Sequence, residues 1–165
     1  MRDLIPIFLI WIISGNTRPN TVCRFCSILE RHSSIKRLCS TRPALLDTVA
    51  IRFPDVKIIM AHLSHPYEGE CAVVIRKHEN VYADCSALHY RPFQLYHSLM
   101  LIQEYGVWDK VLFGTDYPFT TVDASIAGIR ALNDMLDGTK LPRLNEECIE
   151  RMIQRDSLKV LGIKP

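Results

Sequence analysis

"KVLFGTDYPF", residues 110–119, decides how the rest of this chain is read. Val111, Leu112 and Phe113 form an apolar run of the length of a buried strand, and the run passes through Gly114 and Thr115 onto a carboxylate, Asp116. A strand that ends this way either carries a turn or capping aspartate or delivers an acid to a site. Thr120 and Thr121 already offer a cap for the next helix, which weakens the capping explanation of Asp116.

Outward from this strand the pattern is regular. "RPALLDTVAIRF" (42–53) puts Leu45, Leu46, Val49, Ala50 and Phe53 on one helical face, with Pro43 suited to a first turn and Pro54 ending the helix. "VKIIMA" (56–61) is a strand, followed by a helix over 68–77; "NVYADCS" (80–86) is the next strand and "RPFQLYHSLMLIQEYG" (91–106) the next helix. After the strand over 110–115 come a helix across 121–136 and a last one across 145–155. Asn145 is the cap of that last helix, Glu146 and Glu147 stand in its first turn, and Cys148, Ile149, Met152 and Ile153 make its apolar stripe.

Three consecutive strand–helix units predict an α/β fold with parallel strands joined by right-handed crossovers. Parallel strands gather whatever follows them on one rim. Here that rim receives His62 and His65 after the first strand, Asp84 and Ser86 closing the second, and Asp116 after the third. Both barrels and open α/β sheets place their sites on this rim.

Composition narrows the function classes. Of 165 residues 48% are hydrophobic and 23% charged, which is ordinary for a globular protein. Twenty basic against 18 acidic residues give a net charge of +2 with no long single-sign run, so nothing electrostatic points to nucleic acid. The six cysteines are too sparse for a disulfide-stapled domain and read as reduced core thiols, which points to the cytoplasm. "LIPIFLIWII" (4–13) is too short to span a bilayer as a helix and reads as a buried strand. As a signal-peptide core it has one preceding basic residue, an interrupting Pro6 and no clear cleavage site. Residues 1–41 otherwise lack periodicity and read as irregular. Within them Cys23, Cys26, His32 and Cys39 are ligands zinc accepts, but their spacing fits no standard finger.

The chemistry rests on the rim. A histidine and a carboxylate at neighbouring strand ends can hold a divalent metal, or one can ligate it while the other moves protons for a metal-activated water. His62 and Asp116 are that pair. His65, in a loop before Pro66, reads as a rim residue, and Arg91, before Pro92, can clamp a substrate carboxylate or simply start an exposed helix. Asp84, inside a strand, needs a partner and divides between structural hydrogen bonding and site support. His78, His89 and His97 read as surface or packing residues. No G-x-S-x-G elbow or phosphate-binding glycine loop is present, and Cys85 falls within a buried strand.

The order and spacing of "RFPDVKIIMAHLSHPY", "KHENVYADCSALHYRP" and "DKVLFGTDYPF" resemble the amidohydrolase-related metal-dependent hydrolases (amidohydrolase 2), the family that includes aminocarboxymuconate-semialdehyde decarboxylase and lactone hydrolases. The resemblance covers 42–163 and matches the C-terminal part of that family. It implies the C-terminal half of a TIM-type (β/α)8 barrel with one divalent metal, commonly zinc, at the rim. It further implies that His62 is the general acid/base, and that Asp116 is a metal ligand that helps activate water. Arg91 and His65 are the substrate-binding candidates, and the substrate is a small carboxylated or cyclic molecule.

The departures from the family pattern are specific. This chain contains no H-x-H, the metal-ligand pair of the family's first strand. Its best candidate for the fifth strand, "PIFLIWIISG" (6–15), has no histidine. A complete barrel takes about 250 residues. The expectation is therefore a partial barrel over 42–165 behind a divergent segment 1–41, in line with truncation, a wrong start site or a frameshift. Such a chain binds zinc weakly, and self-association through the incomplete barrel is its expected contact besides a small-molecule substrate; neither nucleic acid nor a membrane is expected. The alternatives are a carboxy-lyase of the same family, a non-catalytic half-barrel that needs a partner chain, and an open α/β binding domain without metal dependence.

Overall fold

The computed structural model describes residues 42–163 in full, and the strands β1 (Ile10–Ser14) and β2 (Val22–Phe25) by their backbone. Three further strands, β3 (Val56–Met60), β4 (Val81–Asp84) and β5 (Val111–Leu112), complete a sheet in the order β2-β1-β3-β4-β5. β3, β4 and β5 run parallel, with Met60 opposite Ala83 and Asp84 opposite Leu112. The helices α2 (Glu68–Lys77), α3 (Pro92–Tyr105) and α4 (Val122–Arg130) follow them in turn, so the three expected strand–helix units are present.

The N-terminal strands differ from expectation. β1 pairs antiparallel with β3, with Ile10 opposite Met60 and Ser14 opposite Val56, so it does not take the parallel place of a fifth barrel strand. β2, in the stretch read as irregular, pairs antiparallel with β1. Residues 4–9 and the cysteine-rich positions Cys26, His32 and Cys39 lie outside the described residues.

Alternation along the parallel strands divides the core. Ile58, Met60, Val81, Ala83 and Val111 face the helices and share one buried cluster with Ile75, Leu95, Leu99 and Ile129. Ile59 and Leu112 point to the opposite face, where they meet Leu161 and the half-buried Tyr82, Val160 and Ile163. Burying one Leu or Ile side chain is worth roughly 1.5–3 kcal/mol, so the helical face carries most of the stability. The second face is covered by the short helix α6 (Ser157–Leu161), which follows α5 (Glu146–Gln154). Lys57, near the start of β3, donates from Nζ to the carbonyl of Val160 at 3.0 Å. Arg155 donates to the carbonyls of Asp109 and Val111 at the start of β5. These contacts seat α6 at the N-terminal ends of the strands, opposite the rim that bears His62 and Asp116.

Helix ends follow the sequence signals where a side chain can satisfy the backbone. Thr121 caps α4 through the N–H of Ala124, Asn145 caps α5 through that of Cys148, and Asp156 caps α6 through that of Lys159. The helix expected over 121–136 ends at Arg130 and continues as a 3-10 turn over Ala131–Leu136. The first predicted helix also shortens: Pro43–Leu45 is a 3-10 turn and only Leu46–Arg52 is α-helical (α1). Leu46 and Ala50 are buried as expected, whereas Leu45 and Phe53 are 44% and 55% exposed. Their side chains leave the stripe because Leu45 sits in the tighter turn and Phe53 exits the helix ahead of Pro54 (φ −129°, ψ 65°). Among the described residues no helix is long and apolar enough to cross a membrane.

Candidate functional site

β3 ends at Met60, and the chain then turns through three consecutive left-handed residues, His62 (φ 55°), Leu63 (φ 49°) and Ser64 (φ 57°). Each costs on the order of 1–2 kcal/mol, so the turn persists only if its surroundings fix it. Leu63 does so from below by burial at 1% exposure. Asp84, at the end of the neighbouring β4, does so from the side: its Oδ1 accepts the backbone N–H of His62 at 3.1 Å. The same oxygen accepts the backbone N–H of Ser86 at 3.0 Å and the Ser86 hydroxyl. The His62 ring lies beyond, with Nδ1 2.8 Å from Ser86 Oγ, 3.2 Å from the Ser86 carbonyl and 3.9 Å from Asp84 Oδ1. Asp84 thus joins the two roles between which the sequence left it: it ties two strand ends together and supports the histidine.

Asp116 reaches the same rim from β5. It too is left-handed (φ 65°) and opens a turn in which its carbonyl accepts the N–H of Phe119 at 3.0 Å. Thr120 Oγ donates to the carbonyl of Thr115 at 2.9 Å and pairs with Ser125 Oγ of α4, also at 2.9 Å, holding the far side of this loop. Gly114 explains the glycine before the carboxylate. A Cβ at that position would stand 3.1 Å from Cβ of Ser86 and 3.7 Å from that of Asp84, so a side chain there would press the β5 exit away from the β4 exit by a few tenths of an ångström.

One cavity of about 560 Å³ takes in His62, Asp84, Ser86 and Asp116. Its opposite end is apolar, built by Ile59, Leu112 and the α6 residues Leu158 and Leu161. The pocket therefore has a polar rim at the strand C-termini and an apolar floor at α6, the form of a site that orients a small molecule through a few polar groups. Asp84, which the sequence divided between structural hydrogen bonding and site support, and Ser86, placed on the rim without an assigned role, are as much part of it as the predicted pair. The signal for them was the D-x-S spacing, in which an aspartate accepts from the backbone two residues on.

The other candidates stand elsewhere. His65 Nδ1 is 2.5 Å from Glu68 Oε1 of α2, and His65 is not among the residues lining the cavity. Arg91 is exposed at the start of α3, stacks over the Tyr90 ring at 5.5 Å and also lies outside the lining. His78 is buried, with Nε2 2.7 Å from Asp47 Oδ1, a carboxylate that Lys77 Nζ also reaches at 2.6 Å. These contacts hold the Asp47 carboxyl below its ordinary pKa. His89 packs against Gly128 of α4, and desolvation lowers its pKa. His97 is exposed. Cys71 and Cys85 are free and fully buried, and burial pushes both thiols up to about 12, so neither is a nucleophile.

The amidohydrolase family model matches residues 17–162, from within the N-terminal segment to the end of α6. The chain belongs to the amidohydrolase family. No curated protein matches this amidohydrolase chain. Among solved structures it is similar to an uncharacterised TIM-barrel protein from Bordetella bronchiseptica, with a TM-score of 0.54 and 23% identity, over 76% of this chain and 41% of that one. The likeness fixes the fold: parallel strands alternating with helices in an open sheet, a portion of a TIM-type barrel spanning less than half of that relative. An amidohydrolase fold implies a divalent metal, and the described residues do not by themselves fit one. They hold no group of three His, Cys, Asp or Glu side chains placed to bind an ion. Asp84 Oδ1 is taken by three donors and His62 Nδ1 by Ser86, whereas a catalytic zinc site draws on three protein ligands.

Proposed function

We propose that this amidohydrolase acts as a hydrolase on a small carboxylated or cyclic substrate bound in the His62/Asp116 cavity. The observation that carries the reading is that these two residues, delivered by different strands, line one pocket with a polar rim and an apolar floor. His62 is the proton-exchanging group, since imidazole is the side chain whose protonation changes nearest neutral pH and Ser86 and Asp84 hold it in place. Asp116 is the carboxylate this chain offers to a divalent metal, zinc being an ion that suits a histidine and carboxylate set. Zinc, when bound in such sites, supplies a Lewis acid and a water that ionises near neutrality. Its remaining ligands are not among the described residues, so no step is assigned to it. The buried free thiols Cys71 and Cys85 support a cytoplasmic setting.

The test is turnover of a panel of lactones, esters and aromatic carboxylates by the purified chain with zinc supplied, following both hydrolysis and carbon dioxide release. Removing a positioned acid/base lowers rate by roughly 10²–10⁴-fold, so His62→Gln abolishes detectable hydrolysis. Carbon dioxide release dependent on His62 would instead favour a carboxy-lyase, as in the aminocarboxymuconate-semialdehyde decarboxylase branch. Turnover unchanged in His62→Gln sinks both.

A second reading, a half-barrel that closes by pairing with another copy, is favoured by β5, which pairs with β4 alone among the described strands and so leaves a strand edge open. Size-exclusion chromatography with light scattering tests it: a dimer is expected, and a monomer that melts cooperatively counts against it.

A further inference from the structure

We propose that Ser86 is a positioning residue that fixes His62 as its Nδ1–H tautomer, which leaves Nε2 as an unprotonated base for whatever occupies the cavity. The inference rests on the reading of His62 as the cavity's proton-exchanging group and specifies which nitrogen does the work.

The Ser86 carbonyl, 3.2 Å from His62 Nδ1, can only accept, so that contact requires a proton on Nδ1. The Ser86 hydroxyl, 2.8 Å from Nδ1, is spent as a donor on Asp84 Oδ1 and meets the ring with its lone pairs. Two acceptors from one residue therefore face the same ring nitrogen. Asp84 sets the direction of the chain of bonds, because an ionised carboxylate only accepts and so turns the serine hydroxyl away from the imidazole. A neutral ring with Nδ1 protonated carries its lone pair on Nε2, the reverse of the form that a free imidazole side chain prefers in water. Elsewhere in the chain the hydrogen bonding selects the opposite form: His78 uses Nε2 toward Asp47 Oδ1 at 2.7 Å, which calls for Nε2–H.

Ser86 is itself held from two sides. Its backbone N–H is bound to Asp84, and the bare Cα of Gly114 lies where any side chain would press on its Cβ. The relay is thus built from the exits of all three parallel strands: His62 after β3, Asp84 and Ser86 at β4, Gly114 after β5.

Long-range proton–nitrogen correlation spectra of the ¹⁵N-labelled chain, at a pH where imidazoles are neutral, read the tautomer directly. His62 is identified as the signal lost in His62→Gln. The expected result is Nδ1–H for His62 and Nε2–H for His78 in the same spectrum. Ser86→Ala removes one of the two acceptors, so the Nδ1–H to Nε2–H ratio of His62 falls roughly fivefold, the effect of one ordinary hydrogen bond; Ser86→Thr preserves it. Nε2–H at His62 in the wild type overturns the proposal, and so does an unchanged ratio in a folded Ser86→Ala. If Ser86→Ala does not fold, the wild type and Ser86→Thr decide: Nδ1–H in both supports the assignment, and Nε2–H in either overturns it. Failure of the functional reading looks different. Turnover that ignores His62→Gln removes the role of His62, whereas His62-dependent turnover with an Nε2–H ring removes only the role of Ser86.

Discussion

The two halves of the rim are held by different means. At the ends of β3 and β4 one carboxylate oxygen of Asp84 accepts three donors and secures a turn of three left-handed residues. At the end of β5 Asp116 rides on a loop whose next three residues are exposed, Tyr117 at 81%. The first corner is a locked histidine. The second is a carboxylate presented on a more open loop. On the proposed roles, a group that moves protons is aimed by a fixed neighbour, whereas one that meets a metal or substrate is carried by a turn. Gly114 is where the two meet.

The comparison breaks most readily at Asp84. Asp84→Ala strands donors in a half-buried corner and leaves the left-handed turn unsupported, so it is expected to cost about 3 kcal/mol in urea unfolding. Asp116→Ala is expected to cost less, an alanine at positive φ accounting for about 1 kcal/mol. Equal losses for the two variants would erase the distinction between a locked and a presented corner.

Gly114→Val tests the seam between them at a smaller scale. The added side chain meets Ser86 at a distance the backbone must yield to, and overpacking of this kind costs roughly 1–3 kcal/mol. A valine tolerated without loss of stability would mean that the β5 exit is free to move away from β4, and that the rim is two separate corners.

Much of this was legible in the sequence because it depends on local pattern. The period-2 and period-3.6 runs over 42–155 marked strands and helices, though not the short α6 (Ser157–Leu161), and parallel succession brought His62, Asp84, Ser86 and Asp116 to one rim. Caps at Thr121 and Asn145 were equally readable. What failed was what tertiary context decides. Leu45 and Phe53 share a helical stripe only if the helix runs its full length, and Pro43 and Pro54 trim it at both ends. β1 is apolar enough for a parallel barrel strand, but apolarity does not encode direction, and it pairs antiparallel. His65 and Arg91 precede prolines on the expected loops and make local contacts there, with Glu68 three residues on and with the adjacent Tyr90. The converse case is Ser86: its spacing from Asp84 was visible, but its value depends on a ring supplied 24 residues earlier.

The most direct test of the account is a calorimetric titration of the purified chain with zinc, comparing wild type with Asp116→Ala. The described donors predict weak binding, with a Kd above about 1 μM, well short of the roughly 10–16 kcal/mol of four-ligand structural sites, and its loss in the variant. Zinc binding that persists unchanged in Asp116→Ala would contradict the proposal that Asp116 meets a metal on this rim.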